Sequence, residues 1–305
     1  MKYISTQLRN RLLFSTLLSV ALLLLIYLSF DPIFKPVFAL TIATVISLSL
    51  YEYYQISAKK GFPPLMEIGI VTGILYSFSI FFSLMYPVTL FLPPLVLGLS
   101  LFVSFLYFFY TDESPLVKLA ITFFGLVYIA IPLSFTICIN YFFPEGALQD
   151  GRWWLVYAIA VTKFTDTGAY FSGKLLGKSP LAPEISPKKT REGAIGGLLT
   201  AIVISVLLPF IAEMVTHKRV LQISLLESVF LGSILGFVAQ IGDLAESLLK
   251  RDAGVKDSNQ LPGLGGMLDI IDSLIFTIPL VYFFLLVKEW NQKNWITSIL
   301  EFWSF

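Results

Sequence analysis

Long apolar runs separated by short polar breaks set the pattern of this chain. A helix rising 1.5 Å per residue needs about 20 residues to cross a bilayer. Runs near that length lie at Leu12 to Phe30, Pro36 to Tyr54, Leu65 to Tyr86, Val88 to Tyr110, Leu116 to Phe143, Trp153 to Phe171, Ala194 to Val215, Leu225 to Leu249 and Met267 to Val287. The pattern predicts an all-α polytopic membrane protein of about nine transmembrane helices. The first run follows Lys2, Arg9 and Arg11, is too long for a signal-peptide core, and has no small-x-small cleavage site after it. It is expected to remain as an anchor.

Polar positions gather late. Residues 1 to 150 are nearly featureless spans, expected to serve packing and oligomerisation, whereas residues 151 to 305 carry the candidate chemistry. A charge at the centre of a membrane helix costs roughly 2.5 to 3.5 kcal/mol on insertion scales. Two charged stretches against apolar runs therefore call for a function: Lys163 to Gly197 and Gly242 to Ser273.

In the first stretch Lys163, Asp166 and Tyr170 share one helix face. Lys163 and Asp166 would either neutralise each other structurally or line a site. Ser186, Lys188, Lys189 and Thr190 precede Glu192 and Gly193, Gly196 and Gly197 at the start of the next span. Lysines and hydroxyls before a helix N-terminus favour an anion; the plainer alternative is a basic loop with an N-cap. In the second stretch Asp243, Glu246, Ser247 and Lys250 form one polar stripe at i, i+3, i+4 and i+7. A solvated helix end would look similar, but Asp269 and Asp272 open the following span and can face the same cavity. Pro262, Gly263, Gly265 and Gly266 allow a tight turn between them. Three carboxylates converging there would need a cation, and hard oxygen ligands beside substrate phosphates suit Mg²⁺.

Composition narrows the class. Hydrophobic residues make up 56% and charged residues 13%, with a mean hydropathy of +0.81, which excludes an ordinary soluble domain. A net charge of +1 argues against nucleic acid as a partner. The single Cys138 rules out an intramolecular disulfide framework, and the single His217, beside Lys218 and Arg219, reads as a solvated loop residue. With the N-terminus in the cytoplasm, most of the 21 Lys and Arg residues fall on cytoplasmic segments, both charged stretches included. Carboxylates for divalent cations, cations for phosphates and a membrane setting together imply phosphoryl or nucleotidyl transfer to or from a lipid. The rival from another class is an ion-coupled membrane transporter. Against it, the polar residues crowd one end of the late spans, and no inverted repeat is visible.

At these residues the chain resembles the phosphatidate cytidylyltransferase family, also called CDP-diacylglycerol synthase. The family's C-terminal signature is matched by Ser247, Lys250, Arg251, Lys256, Asp257, Pro262, Gly263, Gly265, Gly266, Asp269 and Asp272. An earlier pair of family strings is matched by Asp166 to Tyr170 and Ser186 to Gly193. Together the matches cover about the C-terminal half. The chain departs at Leu264, where the family has His, and at Ile270, where it has Arg; the stretch from Asp257 to Pro262 is one residue short.

The resemblance implies transfer of CMP from CTP to phosphatidic acid, giving CDP-diacylglycerol and pyrophosphate, with Mg²⁺ as cofactor. The expected metal ligands are Asp243, Asp269 and Asp272. Lys250, Arg251, Lys256 and Asp257 are expected to be catalytic, the cations holding phosphates and Asp257 ligating metal or orienting Lys256. Asp166, Ser186, Lys188, Lys189, Thr190 and Ser247 are expected to bind substrate. The implied setting is a bacterial inner membrane with the site facing the cytoplasm, and a homodimer is a further expectation. The nearest alternative activity is a CTP-dependent lipid or polyprenol kinase, which would leave CDP.

Overall fold

The computed structural model describes residues 6–111, 114–255 and 266–292. Four helices come first: α1 (Thr6–Leu28), α2 (Phe34–Lys59), α3 (Met66–Met85) and α4 (Leu92–Phe108). α5 (Pro115–Gly125) and α6 (Ile131–Asn140) join through a π-helical turn at Leu126–Ala130. Pro132 has no N–H to offer the carbonyl one turn back, and the wider turn takes up that break in the ladder. α7 (Gly151–Leu176) leads into a hairpin of β1 (Pro180–Ala182) and β2 (Ser186–Thr190). α8 (Arg191–Thr216), α9 (Leu225–Asp252) and α10 (Met267–Gln292) complete the fold.

The all-helical membrane architecture is as the hydropathy pattern implies. Among the described residues, 7 helices are long and apolar enough to cross a membrane. The two further expected spans correspond to α1, whose described apolar run is Ser19–Leu28, and α7. α7 matches the others in length, but Lys163, Thr165, Asp166 and Thr167 make it more polar.

Lipid reverses the usual sidedness of packing, because an apolar side chain loses nothing by facing hydrocarbon. α4 buries only Ser100 and Ser104 and leaves Leu95, Leu99 and Phe102 outward. α2, by contrast, buries a stripe of Phe38, Ile42, Ile46, Leu50 and Tyr53 at helical spacing and forms part of the central core.

The last four helices are held by short-range polar contacts and close backbone approach. Tyr157 on α7 hydrogen-bonds Ser205 on α8, which donates to the Ser228 carbonyl on α9 at 2.5 Å. Thr162 donates to Thr277 across the α7–α10 contact at 2.8 Å. A side chain at Gly193 would put its Cβ 2.9 Å from the Ala169 carbonyl oxygen, so α7 and α8 need glycine there. At Gly242 the same test meets the Asp272 carbonyl oxygen at 2.8 Å. That contact brings Asp243 and Asp272 to the same level of the α9–α10 pair.

α9 and α10 run antiparallel. At one end a capping box of Ser224 and Glu227 starts α9, and Lys288 near the end of α10 reaches Glu227 at 2.7 Å. At the other end Lys250 of α9 pairs with Asp269 of α10.

Candidate active site

The hairpin supplies Lys188 and Lys189, and the helices supply the carboxylates together with Lys163 and Lys174. Thr190 ends β2 and caps α8, its hydroxyl accepting the Gly193 N–H at 3.1 Å. Glu192 reaches back to accept the N–H groups of Lys178 and Ser179 at 3.1 and 3.2 Å. These bonds fold the hairpin over the junction of α7 and α8. Replacing Thr190 by Val, which keeps the shape and removes the acceptor, should cost about 1 kcal/mol. Thermal unfolding in detergent would register the loss, and an unchanged midpoint would show that the cap contributes nothing.

So placed, Lys189 Nζ is shielded from solvent and lies 2.6 Å from Asp243 Oδ2 on α9, off the direction of a hydrogen bond, so the contact is an ion pair. On α7, Lys163 and Asp166 pair at 3.5 Å. Ser273 on α10 directs its hydroxyl within 3.5 Å of Asp166 and 3.2 Å of its neighbour Asp272. Asp272, 5% exposed, feels the charges of Asp243, Lys163 and Asp166. Four elements thus converge: α7 through Lys163 and Asp166, β2 through Lys189, α9 through Asp243 and α10 through Asp272. Three carboxylates meet two ammonium groups there, and Lys174 and Lys188 line the adjoining cavity, so acidic and basic groups are interleaved with no excess of negative charge.

A cavity of about 350 Å³ opens on this cluster. Asp166, Lys174, Lys188, Lys189, Thr190, Gln240 and Asp243 contribute polar groups to its lining, and Gly173, Gly193 and Ala194 also line it. Its size falls in the range of small-molecule sites. Gln240 is a lining residue that sequence reasoning did not single out. Its amide nitrogen donates to the carbonyls of Ala194 and Gly236 at 3.1 and 3.0 Å, so it also staples α9 to α8.

A second charged group sits further along α9. Lys250 pairs with both Glu246 and Asp269, and both Glu246 and Lys250 are buried. Two acids around one base is a costly buried arrangement unless each partner stays in place. Arg251 donates from Nε to the Ile185 carbonyl in the hairpin turn at 3.1 Å, and Asp252 pairs with Lys60 at the end of α2. The end of α9 therefore braces the hairpin on one side and α2 on the other.

Of the residues expected at the site, Asp166, Lys188, Lys189, Thr190 and Asp243 line the cavity together, and Asp272 adjoins Asp166 through the Ser273 hydroxyl. Ser186 is in β2 opposite Ala182, and Ser247 is half-buried on α9. Lys256, Asp257, Pro262, Gly263, Leu264 and Gly265 lie outside the described residues. Ile270 packs against the apolar core. Among the described residues no group of three or more His, Cys, Asp and Glu side chains is arranged as a metal cage. The carboxylates are divided between two lysines, with Asp243 on Lys189 and Asp269 on Lys250.

Paired lysines and carboxylates line a cavity among membrane-spanning helices, the setting of an integral membrane protein with a polar site. A sequence model of the cytidylyltransferase family matches residues 9–288, and the chain belongs to that family. It is a nucleotidyltransferase. The phosphatidate cytidylyltransferase of Chlamydia pneumoniae is 32% identical over 288 residues, spanning 92% of each chain. That of Synechocystis sp. is 34% identical over 82% of this chain and 88% of its own length. That of Bacillus subtilis is 42% identical over 61% of this chain and 67% of its own.

Proposed function

We propose that this protein is a phosphatidate cytidylyltransferase, which transfers CMP from CTP to phosphatidic acid. The observation that carries the reading is the convergence of Lys189, Asp243 and Asp166 on one cavity between membrane helices, with Asp272 beside it through the Ser273 hydroxyl that lies near both Asp166 and Asp272. A phosphate oxygen of phosphatidate attacks the α-phosphorus of CTP. The bond between the α-phosphorus and the bridging oxygen breaks, and pyrophosphate leaves. The attacking phosphomonoester is already largely ionised near neutral pH, so the protein needs no strong base. Its task is to hold two anionic substrates in line and offset their repulsion.

Lys189, Lys188 and Thr190 bind the triphosphate at the head of the hairpin, and Lys163 meets the phosphate of the lipid from α7. The donor set fits Mg²⁺, which takes one or two carboxylates and completes its shell with phosphates and water rather than a protein cage. Asp243 and Asp272 would hold it, and when bound it would neutralise charge on the substrate phosphates. Asp269, engaged by Lys250, orients the α9–α10 end and joins the metal shell only if that pair opens. The site faces the cytoplasm of a bacterial inner membrane in this reading, because the basic segments are retained on that side. A homodimer belongs to the same reading, with the outward apolar side chains of α4 as its available face.

The purified protein in detergent, given CTP, phosphatidate and Mg²⁺, should release pyrophosphate at a rate that depends on the lipid. Release of CDP instead would identify a lipid kinase. Substrate counterflow in proteoliposomes without nucleotide would identify a transporter.

A further inference from the structure

Four charged side chains among the described residues are buried: Glu52, Glu246, Lys250 and Asp272. Three of them belong to the groups already placed on α9 and α10. Glu52 does not; it lies on α2, in the half of the chain otherwise given over to apolar packing, and is 1% exposed. A buried carboxylate needs strong partners to persist. Glu52 finds them at the start of α10, where Oε1 accepts the Met267 N–H at 2.9 Å and Oε2 accepts the Leu268 N–H at 2.8 Å.

This is a helix cap supplied from more than two hundred residues away. The first turn of an α-helix has N–H groups with no partner inside the helix, and a carboxylate there also meets the positive end of the dipole. Both oxygens are used, so the contact fixes α10 along its axis and about it. Rotation matters because Asp269, Asp272 and Ser273 follow within two turns. One residue of slip would turn each by about 100° and shift it about 1.5 Å. Asp272 and Ser273 would then leave the face on which Ser273 reaches Asp166 at 3.5 Å. α2 is itself firmly seated: Tyr54 donates to the Thr122 carbonyl at 2.9 Å, and Lys60 pairs with Asp252 at the end of α9.

We propose that Glu52 is a positioning residue for the transfer reaction, holding α10 in the register that presents Asp272 and Ser273 to Asp166 and Asp243. The inference rests on the reading of that cluster as a cation and phosphate site. It assigns a part in the reaction to the first half of the chain. Glu52 touches neither substrate, and it acts through the backbone of α10.

The test compares the full-length protein with Glu52→Gln, Glu52→Asp and, as a control carboxylate loss at an exposed position on α3, Glu67→Gln. Gln keeps the size but has one acceptor oxygen in place of two, and Asp keeps both oxygens on a shorter arm. Four quantities are read: kcat, KM for CTP, direct Mn²⁺ binding by electron paramagnetic resonance, and the thermal midpoint. Loss of an outer-shell support costs about 10- to 100-fold in metal affinity or activity. Glu52→Gln should therefore weaken Mn²⁺ binding and lower kcat by about ten-fold or more, with KM for CTP within about two-fold. Glu52→Asp should recover part of both, and Glu67→Gln should leave both unchanged. Mn²⁺ binding at the wild-type level in Glu52→Gln overturns the inference, whatever happens to the thermal midpoint. Wild-type protein that binds no Mn²⁺ and turns over no CTP overturns the reading of the site, and this inference with it.

Discussion

Replacing Asp243 by Asn is expected to lower lipid-dependent turnover of CTP about a thousand-fold, a loss of the size seen when one charge-stabilising group is removed from a preorganised site. Asp243 lines the cavity and carries the ion pair with Lys189. Its side chain is about one third exposed, and the Lys189 nitrogen is shielded from water. The amide keeps the shape of Asp243 but removes its negative charge, so two effects add. The site loses a ligand for the divalent cation, and Lys189 is left shielded without its counter-charge, free to collapse onto Asp166 or the substrate. Steady-state pyrophosphate release measured at several Mg²⁺ concentrations checks this. Turnover within about three-fold of wild type at every concentration would remove Asp243 from the site.

The largest effect on stability is expected at Lys250. Its ammonium lies between Glu246 and Asp269, and Glu246 is 1% exposed. Lys250→Met fills similar space but leaves Glu246 as an uncompensated buried charge. Breaking a buried pair in this way costs about 3 to 5 kcal/mol. The second variant distinguishes lost charge pairing from lost packing, since Lys250→Met combined with Glu246→Gln removes the orphaned charge and should regain much of the loss. Thermal unfolding of the two proteins in detergent reads the difference. If the double variant is no more stable than the single one, Lys250 holds the helices by packing and the electrostatic account of that group is wrong.

The helices were legible because hydrocarbon imposes length and apolarity on a chain. The run Pro36 to Tyr54 becomes α2 at Phe34–Lys59, and Leu225 to Leu249 becomes α9 at Leu225–Asp252. Each gains its extra residues at the polar ends, where the ladder continues past the apolar stretch. The β-hairpin was not legible. Its strands have three and five residues, and Ser186–Thr190 carries Pro, two Lys and two hydroxyls with no alternation to mark a buried face.

Within the site, the members of the cluster could be read from the two charged stretches, but their pairing could not. Asp243 and Lys250 stand about 10 Å apart along α9, and Asp269 and Asp272 about 4.5 Å apart along α10. Because the two helices are antiparallel, Lys250 at the end of one meets Asp269 at the start of the other, and Asp272 falls deeper, toward Asp243. Spacing along one helix says nothing about which level of a neighbour it meets. Glu52 is the clearest case. A single Glu in Tyr51 to Tyr54 gives no local cue to the two backbone N–H groups it accepts, which lie more than two hundred residues away.

The central claim is that this site moves the cytidylyl group of CTP onto a lipid phosphate. It is tested most directly by following two labels in CTP, one at the α-phosphorus and one at the γ-phosphorus, through the reaction with phosphatidate. The account predicts that the α label appears in the lipid and the γ label in free pyrophosphate, in equal amounts. The γ label in the lipid, or no lipid label at all while the protein remains folded, would contradict it.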